Sequence, residues 1–316
     1  MTMIGVITYN TPHLIYWDWR IAADLFLGGI GVGAYLIAVI NSLVYRDRYA
    51  RVSKVGAILA PLFVIAGLGF LLLELGHPLR MWRTITGFNI SSPLSWGGLF
   101  QTLMIIIGIM YAYLWTKPNA VKLRNMVGVI GIPIALVVGG YHGWLLTIIK
   151  ARPLWNTGPS TITALLSFVI TGMAAILLIL CLLPKARRAG VGAAGDGGSQ
   201  ESGSATWMIR DFRHLLVGAM IVQGLTFFIW WISLYYGSAD AHAALLVANA
   251  ALGPLFWSVG IGAGLVIPIG LQLMAVVRDR GRPERAHTPL TILTTVLILV
   301  GAFVFRYAVV VAGQLC

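Results

Sequence analysis

Five side chains stand out against long runs of residues that carry almost nothing ionisable. Tyr141 and His142 are adjacent in the stretch Gly139–Asn156, GGYHGWLLTIIKARPLWN, while Asp24, Glu74 and Arg306 lie within or at the end of other apolar runs. A phenol and an imidazole both donate and accept hydrogen bonds, and imidazole titrates near neutral pH. Carboxylates close by can carry protons onward. This chemistry suits a bound polar headgroup that exchanges protons. Metal-ligand spacings, a phosphate-binding loop and a nucleophile elbow are all missing from the sequence.

The elements that hold these residues follow from composition. Of the 316 residues 59% are hydrophobic and 10% charged, and the mean hydropathy is +0.88. Soluble domains carry about a quarter charged residues, so the sequence reads as lipid-embedded. Only helix bundles and closed barrels satisfy the backbone in hydrocarbon, and apolar runs of about 20 residues without alternation select helices. The expected fold is all-α, an integral membrane bundle of eight transmembrane helices. The spans fall near 17–45, 54–75, 95–115, 122–149, 160–183, 213–237, 248–277 and 289–312. The N-terminus lacks a cationic segment before a short apolar core and cleavage site, so the first run is read as a retained helix. Residues 185–206, rich in Gly, Ser and Ala, read as a flexible linker. A single membrane domain, 1–316, is thereby expected to form two four-helix halves, 17–183 and 213–316, joined by a cytoplasmic linker over 184–212. Small-xxx-small spacings at Gly29 and Gly33 and at Gly260 and Gly264 predict close helix packing.

Orientation follows from charge. Loops on one side hold Arg46, Arg48, Arg51, Lys54, Lys117, Lys122, Arg124, Lys185, Arg187, Arg188, Arg210, Arg213, Arg278, Arg280, Arg282 and Arg285, sixteen of the 22 basic residues. The positive-inside rule puts these in the cytoplasm and both termini on the outer, periplasmic side of the plasma membrane. The net charge of +12 is therefore a topology and lipid-contact signal, not a nucleic-acid surface.

At 1.5 Å per residue Tyr141 lies about 12 Å, Asp24 about 10 Å and Arg306 about 9 Å below the outer helix ends. Glu74 closes the second span on that side. Unpaired charges at such depths cost about 2.5–3.5 kcal/mol each on insertion scales, which predicts that Arg306 pairs with Asp24 or Glu74. Asn10 and His13, just before the aromatic anchor Tyr16, Trp17 and Trp19, are placed to reach over the mouth of this cluster.

Cys181 and Cys316 are too few to ligate a 4Fe–4S cluster, and of six histidines only His142 lies clearly within a span, which argues against membrane heme. A heme-free bundle with these groups near one face suits a quinone, whose two oxygens need hydrogen bonds and proton donors. Tyr141, His142, Asn10 and His13 are the candidate headgroup ligands; Asp24 and Glu74, with Arg306, are the candidate proton-handling group. Electrons must then pass through a partner, for which His77, Arg80, Arg83, Lys150 and Arg152 offer a docking surface.

The segments ELGHPLRMWR (Glu74–Arg83) and FNISSPLSWG (Phe88–Gly97) resemble the signature of the NrfD/PsrC family, membrane subunits of polysulfide reductase and related molybdopterin complexes. The resemblance continues in DLFLGGIGVGAYL, ARPLWNT and FRYAVVVAGQ, and extends over nearly the whole sequence. It implies a heme-free quinone-binding subunit (menaquinone or ubiquinone) of eight helices. It also implies an outer ferredoxin-like 4Fe–4S subunit, often with a molybdenum or tungsten catalytic subunit. The family's quinone site, carried over, falls on Asn10 or His13 and on Tyr141. Two rival readings stay open, a proton-translocating transport bundle and a purely structural anchor. For transport, Asn41, Gln101, Gln223 and Gln272 are read as the polar groups of the cytoplasmic half.

Overall fold

The computed structural model describes residues 17–45, 49–74, 77–80, 82–183, 200–278 and 288–315. Asn10 and His13 lie outside the described residues. Eight helices are long and apolar enough to cross a membrane, and no strand occurs among the described residues. They are α1 (Trp19–Val44), α2 (Ala50–Glu74), α3 (Pro93–Leu114), α4 (Val121–Thr147), α5 (Ser160–Leu182), α6 (Gln200–Tyr235), α7 and α8 (Thr288–Leu315). Helix α7 runs over Ala239–Leu255, continues as a π-helix through Phe256–Val266, and ends as Ile267–Arg278.

The helix ends obey local chemistry. Asp18 caps α1, its carboxylate accepting from the Arg20 backbone N–H at 2.7 Å, and Ser238 caps α7 by accepting from the Ala241 N–H at 3.2 Å. That cap, with Asp240 in the first turn, starts α7 at Ala239 rather than near 248. Pro254 within α7 removes one backbone donor, and the widened π turn follows immediately. Helix α6 begins at Gln200, so the described backbone is helical over the last residues of the segment expected to be linker. Five membrane-length helices precede residue 184 and three follow 199, so that segment divides the bundle five plus three and not four plus four.

Helix α5 packs on α1, α4, α6 and α8 and so belongs to both parts of the bundle. Its approach to α1 is set by glycine. A Cβ on Gly33 would overlap the Phe168 carbonyl, one on Gly29 the Phe168 ring, and one on Gly172 the Gly33–Ala34 backbone. Gly264 and Gly301 make the same close contact between α7 and α8. The small-residue spacings at Gly29, Gly33 and Gly264 are thus packing devices, worth having where dispersion contacts replace the hydrophobic effect between helices in lipid.

Interhelical bonds add to this. The Tyr35 hydroxyl donates to the Val127 and Gly128 carbonyls, each at 3.2 Å, and Asn41 donates to Ser53 Oγ at 2.8 Å. Arg213, read as a loop residue, is 1% exposed within α6 and donates from Nε to Gln272 Oε1 at 2.8 Å.

Replacing Gly33 with Ala is expected to cost about 1–3 kcal/mol through overpacking against backbone that cannot retreat. Gly69, which has nothing within 4 Å of a built Cβ, is the contrast: Gly69→Ala keeps or raises the Tm. Thermal unfolding of the two variants in one detergent checks both.

Candidate functional site

Four of the five residues singled out by chemistry surround one cavity of about 490 Å³ between α1, α2, α3 and α4. Asp24 projects from α1, Glu74 from the end of α2, and Tyr141 and His142 from α4, with Gln101 and Thr102 of α3 opposite. Leu25, Leu68, Leu71, Leu72 and Leu145 make most of the remaining wall apolar. A large apolar cavity with a few convergent polar groups is the form of a small-molecule site.

The polar groups differ in what they already bond. The Tyr141 side chain is buried, its ring lies directly on Gly97 of α3 where a Cβ would collide with it, and its hydroxyl has no partner among the described residues. Asp24, 4% exposed, sits over Gly67 of α2, and its Oδ1 has no hydrogen-bond partner there either. Such an atom costs stability unless something else bonds it.

His142 is satisfied within the protein. Its Nδ1 lies 2.9 Å from the Val138 carbonyl, which can only accept, so Nδ1 carries the proton. The other ring nitrogen, Nε2, then accepts from the Gln101 amide at 3.2 Å. This arrangement leaves the Oε1 of Gln101, a residue of the cavity wall that is 3% exposed, buried without a partner among the described residues. The phenyl ring of Phe168 backs the imidazole edge-on at 5.6 Å. His142 therefore aims Gln101 rather than presenting a free nitrogen of its own.

Gln101 is the residue that sequence reasoning put in the wrong half of the membrane. Helix α3 starts at Pro93, so Gln101 is about 12 Å along it at 1.5 Å per residue, level with the Tyr141 cluster. Counting rise from Pro93, a strong N1 signal, would have found it.

The expected pairing of Arg306 is corrected by the geometry. Glu74 is in an ion pair, but with Arg20 at 3.2 Å, and Arg20 also reaches Asp18 at 3.2 Å. Arg306 instead donates to the Ala302 carbonyl at 2.9 Å and Ser167 Oγ at 3.0 Å, between the rings of Phe26 and Phe168. The reason is placement: Arg306 of α8 faces α5, on the far side of His142 from the two carboxylates. Arg20 was close enough to the helix end to take the partner.

The motif residues after α4 form a clasp at the same face. The Gln314 side chain both accepts from the Trp17 N–H and donates to the Trp17 carbonyl, each at 2.8 Å. Trp155 stacks on Trp17 with ring centres 5.5 Å apart and donates to the Val309 carbonyl at 2.8 Å. Arg152 donates to the Gln314 carbonyl at 2.7 Å, so it closes α8 in addition to any docking role. His77, Arg80, Arg83 and Lys150 are exposed, beside Leu79, Trp82 and Ile90, of which Leu79 is 92% exposed.

The family model described as "Polysulphide reductase, NrfD" matches residues 8–316. The protein belongs to the NrfD family. It is 28% identical to one of the polysulfide reductase polypeptides of Wolinella succinogenes, over 97% of its own length and 96% of the relative's. Protein NrfD of Escherichia coli is 25% identical, with 95% and 96% of the two lengths aligned. A selenate reductase subunit from Mesobacillus selenatarsenatis is 24% identical, over 85% of the present sequence and 68% of the relative's. Membership identifies a multi-pass membrane subunit of an oxidoreductase.

Gln314→Ala removes both side-chain bonds to Trp17. Loss of two hydrogen bonds predicts about 1–3 kcal/mol of destabilisation, read as a lower Tm, and Gln314→Glu lowers it at least as much, because a buried carboxylate oxygen then faces the Trp17 and Val310 carbonyls.

Proposed function

We propose that this protein is the heme-free quinone-reactive anchor of a respiratory oxidoreductase complex. It binds menaquinone or ubiquinone in the Asp24–Gln101–Tyr141 cavity and exchanges electrons with an iron–sulfur partner. The observation that supports this most directly is the set of unpartnered polar groups: the Tyr141 hydroxyl, Gln101 Oε1 and Asp24 Oδ1 belong to residues that line one largely apolar cavity. A ring with an oxygen at either end and an apolar tail complements that wall.

A bound quinone supplies two-electron, two-proton redox chemistry. The residues do the rest. The Tyr141 hydroxyl donates to a headgroup oxygen, and Gln101 Oε1 accepts from a headgroup hydroxyl, held there by His142. Asp24 takes up or releases the proton at its carboxylate. Glu74, paired with Arg20 at the edge of the same cavity, is the next group toward water. Asn10 and His13, proposed from the family resemblance, join the site from the segment before Trp17. Apolar side chains from three helices exclude bulk water, which strengthens each of these bonds.

The partners follow from the same reading. A ferredoxin-like 4Fe–4S subunit docks on the outer face, over His77, Arg80, Arg83 and Lys150, with Arg152 at its edge. A molybdenum or tungsten catalytic subunit lies beyond it. The names of the relatives, reductases of polysulfide and selenate, support this complex. The charge asymmetry of the loops supports a plasma-membrane location with periplasmic termini.

Tyr141→Phe is expected to weaken quinol-linked turnover of the assembled complex about 3–10-fold, the worth of one hydrogen bond, and Gln101→Leu by a similar factor. Assembly, judged by copurification of the iron–sulfur subunit, stays intact. Unchanged turnover with a soluble quinol in both variants sinks the site assignment.

A second reading, an ion-coupled bundle, is favoured by a separate observation. Arg213, Gln272 and Thr294 form buried hydrogen bonds across α6, α7 and α8. If protons cross there, Gln272→Leu lowers the proton movement per quinol in proteoliposomes while leaving quinol oxidation in detergent unchanged.

A further inference from the structure

A second chamber, of about 70 Å³, lies on the other side of His142 from the large cavity. Leu25 and His142 are shared by both walls. Arg306, His142, Ser167, Thr163 and Ser160 supply its polar lining; the rest is apolar and aromatic, with no carboxylate among the described lining residues. The chamber is too small for a quinone headgroup and its tail, but several times the ~10–15 Å³ that one water needs.

Two observations there are unusual. Arg306 is a buried cation with no ion pair among the described residues. Of the five N–H donors of a guanidinium, one reaches the Ala302 carbonyl and one Ser167 Oγ. The rings of Phe26 and Phe168 lie 5.6 and 5.1 Å from it, and they offset its charge only in part.

The second observation concerns Thr163. Buried threonines of this bundle normally bond back to the carbonyl four residues earlier, as Thr171, Thr294 and Thr295 do. Thr163, 4% exposed, does not, and its hydroxyl has no partner among the described residues. A residue with an unpartnered hydroxyl and an uncompensated guanidinium thus line one small, partly open space. A cation is repelled there, and a neutral water leaves the charge unbalanced.

The geometry points to a binding site for a small monovalent anion, of the halide class, held by Arg306, Thr163 and Ser167. The local charge of Arg306, which has no carboxylate among the described residues of its chamber, is balanced by this ion. The site is distinct from the quinone cavity and stands whether or not a quinone binds there.

The test uses the full-length protein in detergent, depleted of anionic lipid and exchanged into sodium gluconate. Bromide is titrated at constant ionic strength and the Tm followed, with bromide anomalous scattering from crystals as a direct readout. A saturable rise in Tm with bromide, and an anomalous peak beside Arg306, are expected. Thr163→Val should raise the half-saturating bromide concentration about fivefold, the worth of one hydrogen bond. Arg306→Gln should abolish the response, and the surface variant Lys122→Gln should retain it. If Arg306→Gln does not fold, the Thr163→Val shift and the anomalous peak decide. Equal Tm curves in bromide and gluconate, no peak in the chamber, an unshifted Thr163→Val, or a response restored only by anionic lipid each overturn the proposal.

Discussion

The polar groups around His142 depend on how closely α1 and α5 approach. Gly29 and Gly33 remove the side chains that would separate them, and Phe168 fills the space. Its ring then lies edge-on to His142 and beside Arg306. A bulkier residue at position 29 would move Phe168, and with it the wall between the two cavities. In lipid no hydrophobic effect draws helices together, so a contact of this kind carries both association and register. One glycine pair therefore fixes the position of an imidazole, and through the imidazole an amide on a third helix.

That indirect linkage changes what the Tyr–His dipeptide means. Tyr141 keeps a free hydroxyl over Gly97, while the adjacent histidine spends both nitrogens on Val138 and Gln101. Neighbours in sequence, they play different parts: one meets the cavity directly and the other orients the group that does. A buried amide held at its nitrogen leaves its oxygen fixed in direction, which is a more rigid acceptor than an imidazole that can turn. Two adjacent helical residues lie about 100° apart around the axis at 3.6 residues per turn, so such a division of roles is natural.

Eight helices and their approximate spans were legible because hydrocarbon imposes length and apolarity on every span. The start of α7 was not, although Ser238 and Asp240 form a recognisable cap, because apolarity over 239–247 is diluted by alanine and outweighed by the run that follows. Gln101 was legible in principle from Pro93, yet an amide within an apolar helix carries no signal of which face it takes. The partner of Arg306 was illegible for a different reason. Depth places charges along the membrane normal but says nothing of rotation about each helix, and rotation put Arg306 against Phe168 and Ser167 while Arg20 took Glu74.

The clasp between Trp17 and Gln314 also has a bearing on biogenesis. Helices enter the membrane in the order of synthesis, so α1 is inserted long before its counterpart on α8 exists. Until then Trp17 lacks its amide partner and Trp155 lacks the Val309 carbonyl. Closure of this clasp thus waits for the last helix. A nascent or truncated polypeptide presents unsatisfied polar backbone at the membrane surface, a signature that quality-control proteases can read.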